Sequence, residues 1–424
     1  MGQIDIAYGK GTLSLDADPE LAEWEAIRPK FEPAYTSPEN GFRDAVANPI
    51  NSDPLAEMVA PGDRVTIVTS DGTRPVPNHL LIPWILDVLP VPETQVTVLL
   101  GTGTHRPNSD EEILAMFGKD VVDRVRIVNH DAFDESTNID LGNISTGTPA
   151  RLDRAYVEAD KRIVVGFIEP HFFAGYSGGA KGIAPGVASI DTILQLHRAE
   201  LIGHERSTWG VIEGNPIQDE IAEIVAKCPP DFMVNVTLNG DKDISGYYLG
   251  DYRTAHRQGC AAAKEAAMQA VQRAFPVVVT SNSGFPLDQN LYQTVKGISA
   301  AARVACDGGT IVVASECSDG VPDHGNFAQI MRESDTPAEI LSGIYGLDTP
   351  ILDQWQAQIL AGILERVDIQ VMTDMDAGDV EACKLRPIDD LNNAVRDSLE
   401  GESDPCVAVL PDGPLTIPYV EEKA

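Results

Sequence analysis

Within the stretch EPHFFAGYSGGAKGIAPG, residues 169–186, His171 and Lys181 stand ten residues apart among five glycines. Imidazole exchanges protons near neutral pH, so a histidine placed after a proline at the end of an apolar run suits a general acid or base. The glycines make the segment look like a phosphate cradle. Lys181, however, is followed by Gly182 rather than Ser or Thr, so the Walker A spacing is absent and a P-loop NTPase is disfavoured. Two earlier segments have the same flavour. In SDGTRP, Asp71, Gly72 and Thr73 can form a turn and helix cap while Arg74 offers a bidentate fork to a carboxylate or phosphate. In GTGTHRPNSDEE, the glycines allow close backbone approach, Ser109 can cap the next helix, and His105 stands just ahead of it. The full GxGxxG dinucleotide fingerprint is missing there.

Two helical segments carry further candidates. SIDTILQLHRAEL, residues 189–201, reads as one amphipathic helix with Ile190, Ile193, Leu194 and His197 on its apolar stripe. A histidine so placed is either a satisfied core residue or a ligand for a soft transition metal. In LDQNLYQTVKG, Gln293 and Lys296 lie three apart on one helical face, as an ordinary polar face or as a grip for a small carboxylate or hydroxyl. His79, His130, His204, His256 and His324 have no comparable company and are assigned no role.

These residues need strands and loops to hold them. Short β-branched runs recur at 64–69, 95–100, 126–130, 161–169, 232–238, 276–281, 310–315 and 406–410, with helical patterns between them. That alternation predicts an α/β protein with mostly parallel sheets. SDGTRP, GTGTHRP and the 169–186 loop each follow a strand, where open α/β sheets bind ligands. The Ala-rich stretch ending near Phe275 reads as a long helix leading into a second domain. The predicted division is 1–270 for an N-terminal α/β domain and 271–404 for a C-terminal one, with about 405–424 returning to the first.

The chain has 424 residues and a net charge of −34, from 65 acids against 31 bases. Such a surface repels nucleic acid and anionic membrane, so an anionic ligand must be drawn by local cations such as Arg74, Lys181 and Lys296. The start shows no secretory signal and no stretch reaches the apolar length of a membrane span, so a cytoplasmic protein is expected. Six scattered cysteines without a CxxC pair fit neither a zinc ribbon nor a disulfide framework.

In order, SDGTRP, GTGTHRP, EPHFFAGYSGGAKGIAPG, LQLHRAE, LYQTVKG and LDQWQAQ (352–358) resemble the nickel-pincer lactate racemase family, from about residue 60 to 360. The resemblance implies two α/β domains with the active site in the interdomain cleft, and a racemase or epimerase of 2-hydroxy acids. It implies a Ni(II)-pyridinium-3,5-bisthiocarboxylic acid mononucleotide, the nickel-pincer nucleotide, bound covalently to Lys181 through a thioamide, with His197 as a nickel ligand. It makes Asp71, Gly72, Thr73 and Arg74 cofactor contacts, His105 and His171 the paired catalytic bases, and Gln293 and Lys296 the substrate grip, with Tyr292 and Trp355 as lining aromatics. The resemblance further implies that hydride passes from Cα to the pincer and back through a 2-keto acid. Partners would be a small 2-hydroxy acid and the enzymes that build the pincer cofactor; nucleic acid and membrane are not expected. Other readings are an epimerase of malate or a sugar acid such as gluconate, a zinc hydrolase using His105, His171 and His197, and a non-enzymatic carrier or sensor of the pincer nucleotide.

Overall fold

The computed structural model describes residues 2–323 and 325–421, so His324 lies outside the described residues. The chain divides into two compact units: residues 31–197 with 206–264, and residues 1–30 with 198–205 and 265–424. Both are α/β and mostly parallel, as predicted. Among the described residues no helix is long and apolar enough to cross a membrane.

The first unit is built on a six-stranded sheet in the order Ile244–Gly250, Phe232–Leu238, Lys161–Phe167, Val65–Ser70, Val96–Gly101, Arg126–Asn129. Its neighbours are parallel except at the edge, where Ile244–Gly250 runs antiparallel to Phe232–Leu238. The inner strands read as near-continuous apolar runs because both faces are covered: Val65, Ile67, Val98, Ile163, Val165 and Val234 are all buried. This sheet aims the candidate loops. Val65–Ser70 ends at Asp71, Val96–Gly101 ends ahead of His105, and Lys161–Phe167 runs out towards His171 and Lys181.

The second unit has a fully parallel six-stranded sheet in the order Arg386–Ile388, Asp368–Met372, Ala305–Ala314, Phe275–Ser281, Cys406–Leu410, Glu23–Ala26. Three expectations are corrected here. Residues 405–424 do not return to the N-terminal domain: Cys406–Leu410 pairs with Phe275–Ser281, and Ile417–Val420 pairs with Met268–Val271. The first 30 residues also belong to this unit, because Glu23–Ala26 caps the far edge of the sheet and Ile4, Ile6, Leu15 and Trp24 enter its core. Finally, the Ala-rich helix spans Thr254–Ala267 and stops there; Met268–Val271 is a strand despite residue types that favour helix, because it gains a parallel partner in Ile417–Val420.

Candidate active site

The turn after Val65–Ser70 is organised by one carboxylate. Asp71 Oδ1 accepts from the Thr73 backbone N–H at 3.2 Å and from Thr73 Oγ1 at 2.6 Å. Its other oxygen, Oδ2, lies 2.7 Å from Nδ1 of His105 in the neighbouring loop. The Asp71 side chain is only 5% exposed, against 46% for His105, so a buried anion carries a half-open imidazole. Burial alone would raise the Asp71 carboxyl, but the His105 and Thr73 hydrogen bonds and the nearby Arg74 charge outweigh it and hold it below its ordinary value. An ionised Asp71 accepts Nδ1–H and leaves Nε2 of a neutral His105 as the lone-pair nitrogen. The family resemblance implies a cofactor contact for Asp71; in the structure its carboxylate meets His105.

His171 is buried in the short pairing of Pro170–His171 with Gly175–Tyr176. The Ala174 backbone N–H donates to its Nδ1 at 3.3 Å, so the neutral ring carries its proton on Nε2. Its ring packs edge-on against Phe173 at 4.5 Å between centroids, and Phe173 in turn meets the His197 ring at 5.4 Å.

His197 departs from the expected continuous helix. The helix Ile190–Leu196 ends just before it, His197 is the capping residue, and a separate helix follows at Ala199–Ile202. Its Nδ1 lies 2.7 Å from the Ile193 carbonyl oxygen, and because a carbonyl only accepts, Nδ1 holds the proton and Nε2 the lone pair. Burial, reinforced by the charge of Lys181, pushes His197 down to about 4 although the Ile193 bond acts the other way, so the ring is neutral near pH 7.

Lys181 sits in the helical turn Gly179–Gly182. Burial pushes its amine down to about 7, Arg74 adds to the depression, and Glu169 opposes it. No ion pair or hydrogen bond to Lys181 Nζ occurs among the described residues. Thus Arg74 acts electrostatically on both Asp71 and Lys181, and Lys181 acts on His197. Asp71, Thr73, Arg74, His105, Lys181, His197 and His171 therefore form one connected set.

The glycines of this loop pack against protein. Gly179 has φ +53°, and a Cβ there would sit 2.8 Å from the His256 ring; at Gly186 a Cβ would meet the Gly182 carbonyl oxygen at 2.1 Å. The Gly103 N–H donates to the Gly186 carbonyl at 3.0 Å, which binds the Lys181 loop to the His105 loop. His256, assigned no role from sequence, is within hydrogen-bond distance of Ser177, and Asn235 accepts from Gly179 N–H. No sequence signal marked either one. His130 lies buried with its nitrogens facing Asp153 and the Ala188 carbonyl, a core tie consistent with no catalytic role.

Gln293 and Lys296 lie in the other unit, on the helix Leu291–Ala301, where Lys296 Nζ donates to Gln293 Oε1 at 2.7 Å. Asn290 caps that helix, accepting from Gln293 N–H at 3.0 Å. The Trp355 indole N–H donates to the Tyr292 hydroxyl at 3.1 Å, so those two aromatics are a pair. Among the described residues, no group of three His, Cys, Asp or Glu side chains is placed to hold a metal ion, which the zinc-hydrolase reading requires.

The family model for the lactate racemase N-terminal domain matches residues 8–210, and that for the lactate racemase C-terminal domain matches residues 271–417. The chain is 36% identical over its whole length to a lactate racemase of Thermoanaerobacterium thermosaccharolyticum, itself covered completely. It is 33% identical to a lactate racemase of Lactiplantibacillus plantarum, over 97% of this chain and 99% of that one. The solved lactate racemase apoprotein from Thermoanaerobacterium thermosaccharolyticum superposes with a TM-score of 0.91 at 35% identity, covering 99% of this chain and 100% of that one.

Proposed function

The chain belongs to the lactate racemase family and is a racemase, and from that premise we propose that it inverts Cα of a 2-hydroxy acid, lactate or a relative of it, through a 2-keto acid, with the nickel-pincer nucleotide as cofactor. When bound, that cofactor supplies the centre that takes the Cα hydride and returns it. The residues fit such a group. His197 offers one neutral imidazole nitrogen, and with no group of three His, Cys, Asp or Glu side chains placed around a metal among the described residues, an ion held there would draw donors from the bound nucleotide. Lys181 would hold the nucleotide, since an amine that loses its proton near pH 7 is in the nucleophilic form an amide-type linkage requires. Arg74 and the Gly72–Thr73 turn would receive its polar groups.

The observation that carries the catalytic reading is that Nδ1 meets opposite partners in the two candidate bases, the Asp71 carboxylate at His105 and the Ala174 N–H at His171. Asp71 keeps the proton of His105 on Nδ1, so Nε2 accepts a hydroxyl proton from one enantiomer. His171 carries a proton on Nε2; to give it to the keto oxygen as hydride returns to the other face the ring would act as the imidazolium and be left neutral, since neutral imidazole is far too weak an acid near pH 7. In the reverse direction the roles exchange, which is why two bases are required. Lys296, with Gln293 beside it, would hold the substrate carboxylate.

The test is a panel of enantiopure 2-hydroxy acids, lactate, malate and gluconate among them. Each is incubated with protein produced alongside the enzymes that build the cofactor, and the products are resolved by chiral chromatography. Racemisation of lactate or a relative supports the reading; no turnover by cofactor-loaded protein refutes it and leaves the carrier reading. With substrate deuterated at Cα, the inverted product should keep most of its deuterium in ordinary water, and washout would replace hydride return by proton transfer. His197→Ala should lose nickel, measured by elemental analysis, while keeping its circular dichroism.

A further inference from the structure

We propose that His256 and Asn235, far from every motif in sequence, are positioning residues that form the seat of the Gly178–Lys181 turn and present the Lys181 amine for covalent attachment. The inference rests on the reading of Lys181 as the attachment point and extends it to how that amine is held. Asn235, on the strand Phe232–Leu238, is fully buried; its Oδ1 accepts from the Gly179 N–H at 2.7 Å while its Nδ2 donates to the Val234 carbonyl at 3.0 Å. That amide is thereby fixed in orientation, oxygen toward the turn. His256, on the helix Thr254–Ala267, lies with Nε2 2.8 Å from the Ser177 carbonyl oxygen, so Nε2–H donates and the ring lies against Gly179. The two contacts are steric as well as polar: a Cβ at Gly178 would lie 2.5 Å from Asn235 Oδ1, and one at Gly179 2.8 Å from the His256 ring. Both glycines have positive φ, +76° and +53°. Two hydrogen bonds and two close approaches thus over-determine a turn whose fourth residue is Lys181. Lys181 is half-buried as a residue, and burial of its amine brings the loss of its proton down to about 7. A turn released into water would return Lys181 to ordinary lysine behaviour, almost wholly protonated at pH 7.

The test uses cofactor-free protein and a brief pulse of an N-hydroxysuccinimide acetate at pH 7, with peptide mass spectrometry comparing Lys181 with exposed Lys119. In His256→Ala, Lys181 labelling relative to Lys119 should fall at least about tenfold, and His256→Gln, which keeps a donor for Ser177, should recover part of it. Asn235→Ala should give the same loss together with faster hydrogen exchange at the Gly179 amide, and serves if His256→Ala does not fold. Gly179→Ala attacks the same seat from the other side. A second readout, the fraction of chains carrying the cofactor adduct by intact mass, should drop in parallel. Labelling within twofold of wild type in folded His256→Ala or Asn235→Ala protein would overturn the proposal. Labelling needs no cofactor, so it reports on the seat whether or not Lys181 proves to be the attachment point.

Discussion

Asp71 Oδ2 lies 2.7 Å from Nδ1 of the half-exposed His105. A carboxylate that accepts Nδ1–H fixes both the tautomer and the angle of an otherwise half-exposed ring, and Asp71→Asn replaces that acceptor with a group whose amide can face the ring as a donor. A positioned acid or base contributes roughly 100- to 10,000-fold in rate, so the Asn variant should lose at least the lower figure in kcat while cofactor loading by intact mass stays near wild type. Loss of loading with unchanged kcat per loaded chain would instead return Asp71 to the cofactor-contact role. Lys181 makes a second prediction, through pH. An unfolded lysine keeps its proton to about 10.5 and the folded one only to about 7, so between those values the unfolded chain binds more protons and stability must rise with pH. In cofactor-free protein the urea midpoint of wild type should therefore gain on that of Lys181→Met as pH goes from 7 toward 10; a constant difference would mean that the amine is solvated. At this scale the placement of the motif residues just past strand ends was legible in sequence, because glycine and proline next to histidine or a charged residue mark such ends. Their partners were not: nothing in SDGTRP says that Asp71 reaches a residue 34 positions away.

At the scale of elements, the site depends on two loops being tied together. Gly186 packs directly on Gly182 and its carbonyl accepts from Gly103, so the turn with Lys181 and the loop with His105 share one backbone contact. Gly186→Ala would force a Cβ to within 2.1 Å of the Gly182 oxygen, and neither backbone can yield without moving the other loop. A clash of this kind costs about 1–3 kcal/mol; the expected result is a lower melting temperature together with reduced adduct formation and reduced kcat in the chains that do load. A variant that melts early but loads and turns over normally would show that the tie is only structural. The strands that position these loops were legible from β-branched runs to within a few residues. The break after Leu196 was not, because ILQLHRAEL keeps an apolar helical pattern on both sides of it; the pattern records burial, and here two short helices bury their faces separately.

The whole molecule shows where a linear reading of domains fails. Apolar runs show that a segment is a strand but not which strand it joins, and here the chain weaves: residues 1–30 and 198–205 fold with the C-terminal sheet. The consequence is testable at the N-terminus. Glu23–Ala26 lies parallel to Cys406–Leu410 with Trp24 opposite Val407, and the preceding hairpin, Gln3–Tyr8 with Gly11–Asp16, contributes Ile4, Ile6 and Leu15 to the same apolar layer as Val277, Val407 and Val409. Removing residues 2–27 would leave Cys406–Leu410 as a bare, wholly apolar edge with unpaired backbone groups, the type of edge that recruits other chains. Hydrogen exchange in 406–410 should then accelerate sharply and the protein should tend to self-associate, while Val65–Ser70 in the other unit keeps its protection. If the N-terminal residues instead served the motif-bearing unit, as a boundary near residue 270 supposes, the deletion would loosen Val65–Ser70 and spare Cys406–Leu410, so the two strands report opposite outcomes in one experiment.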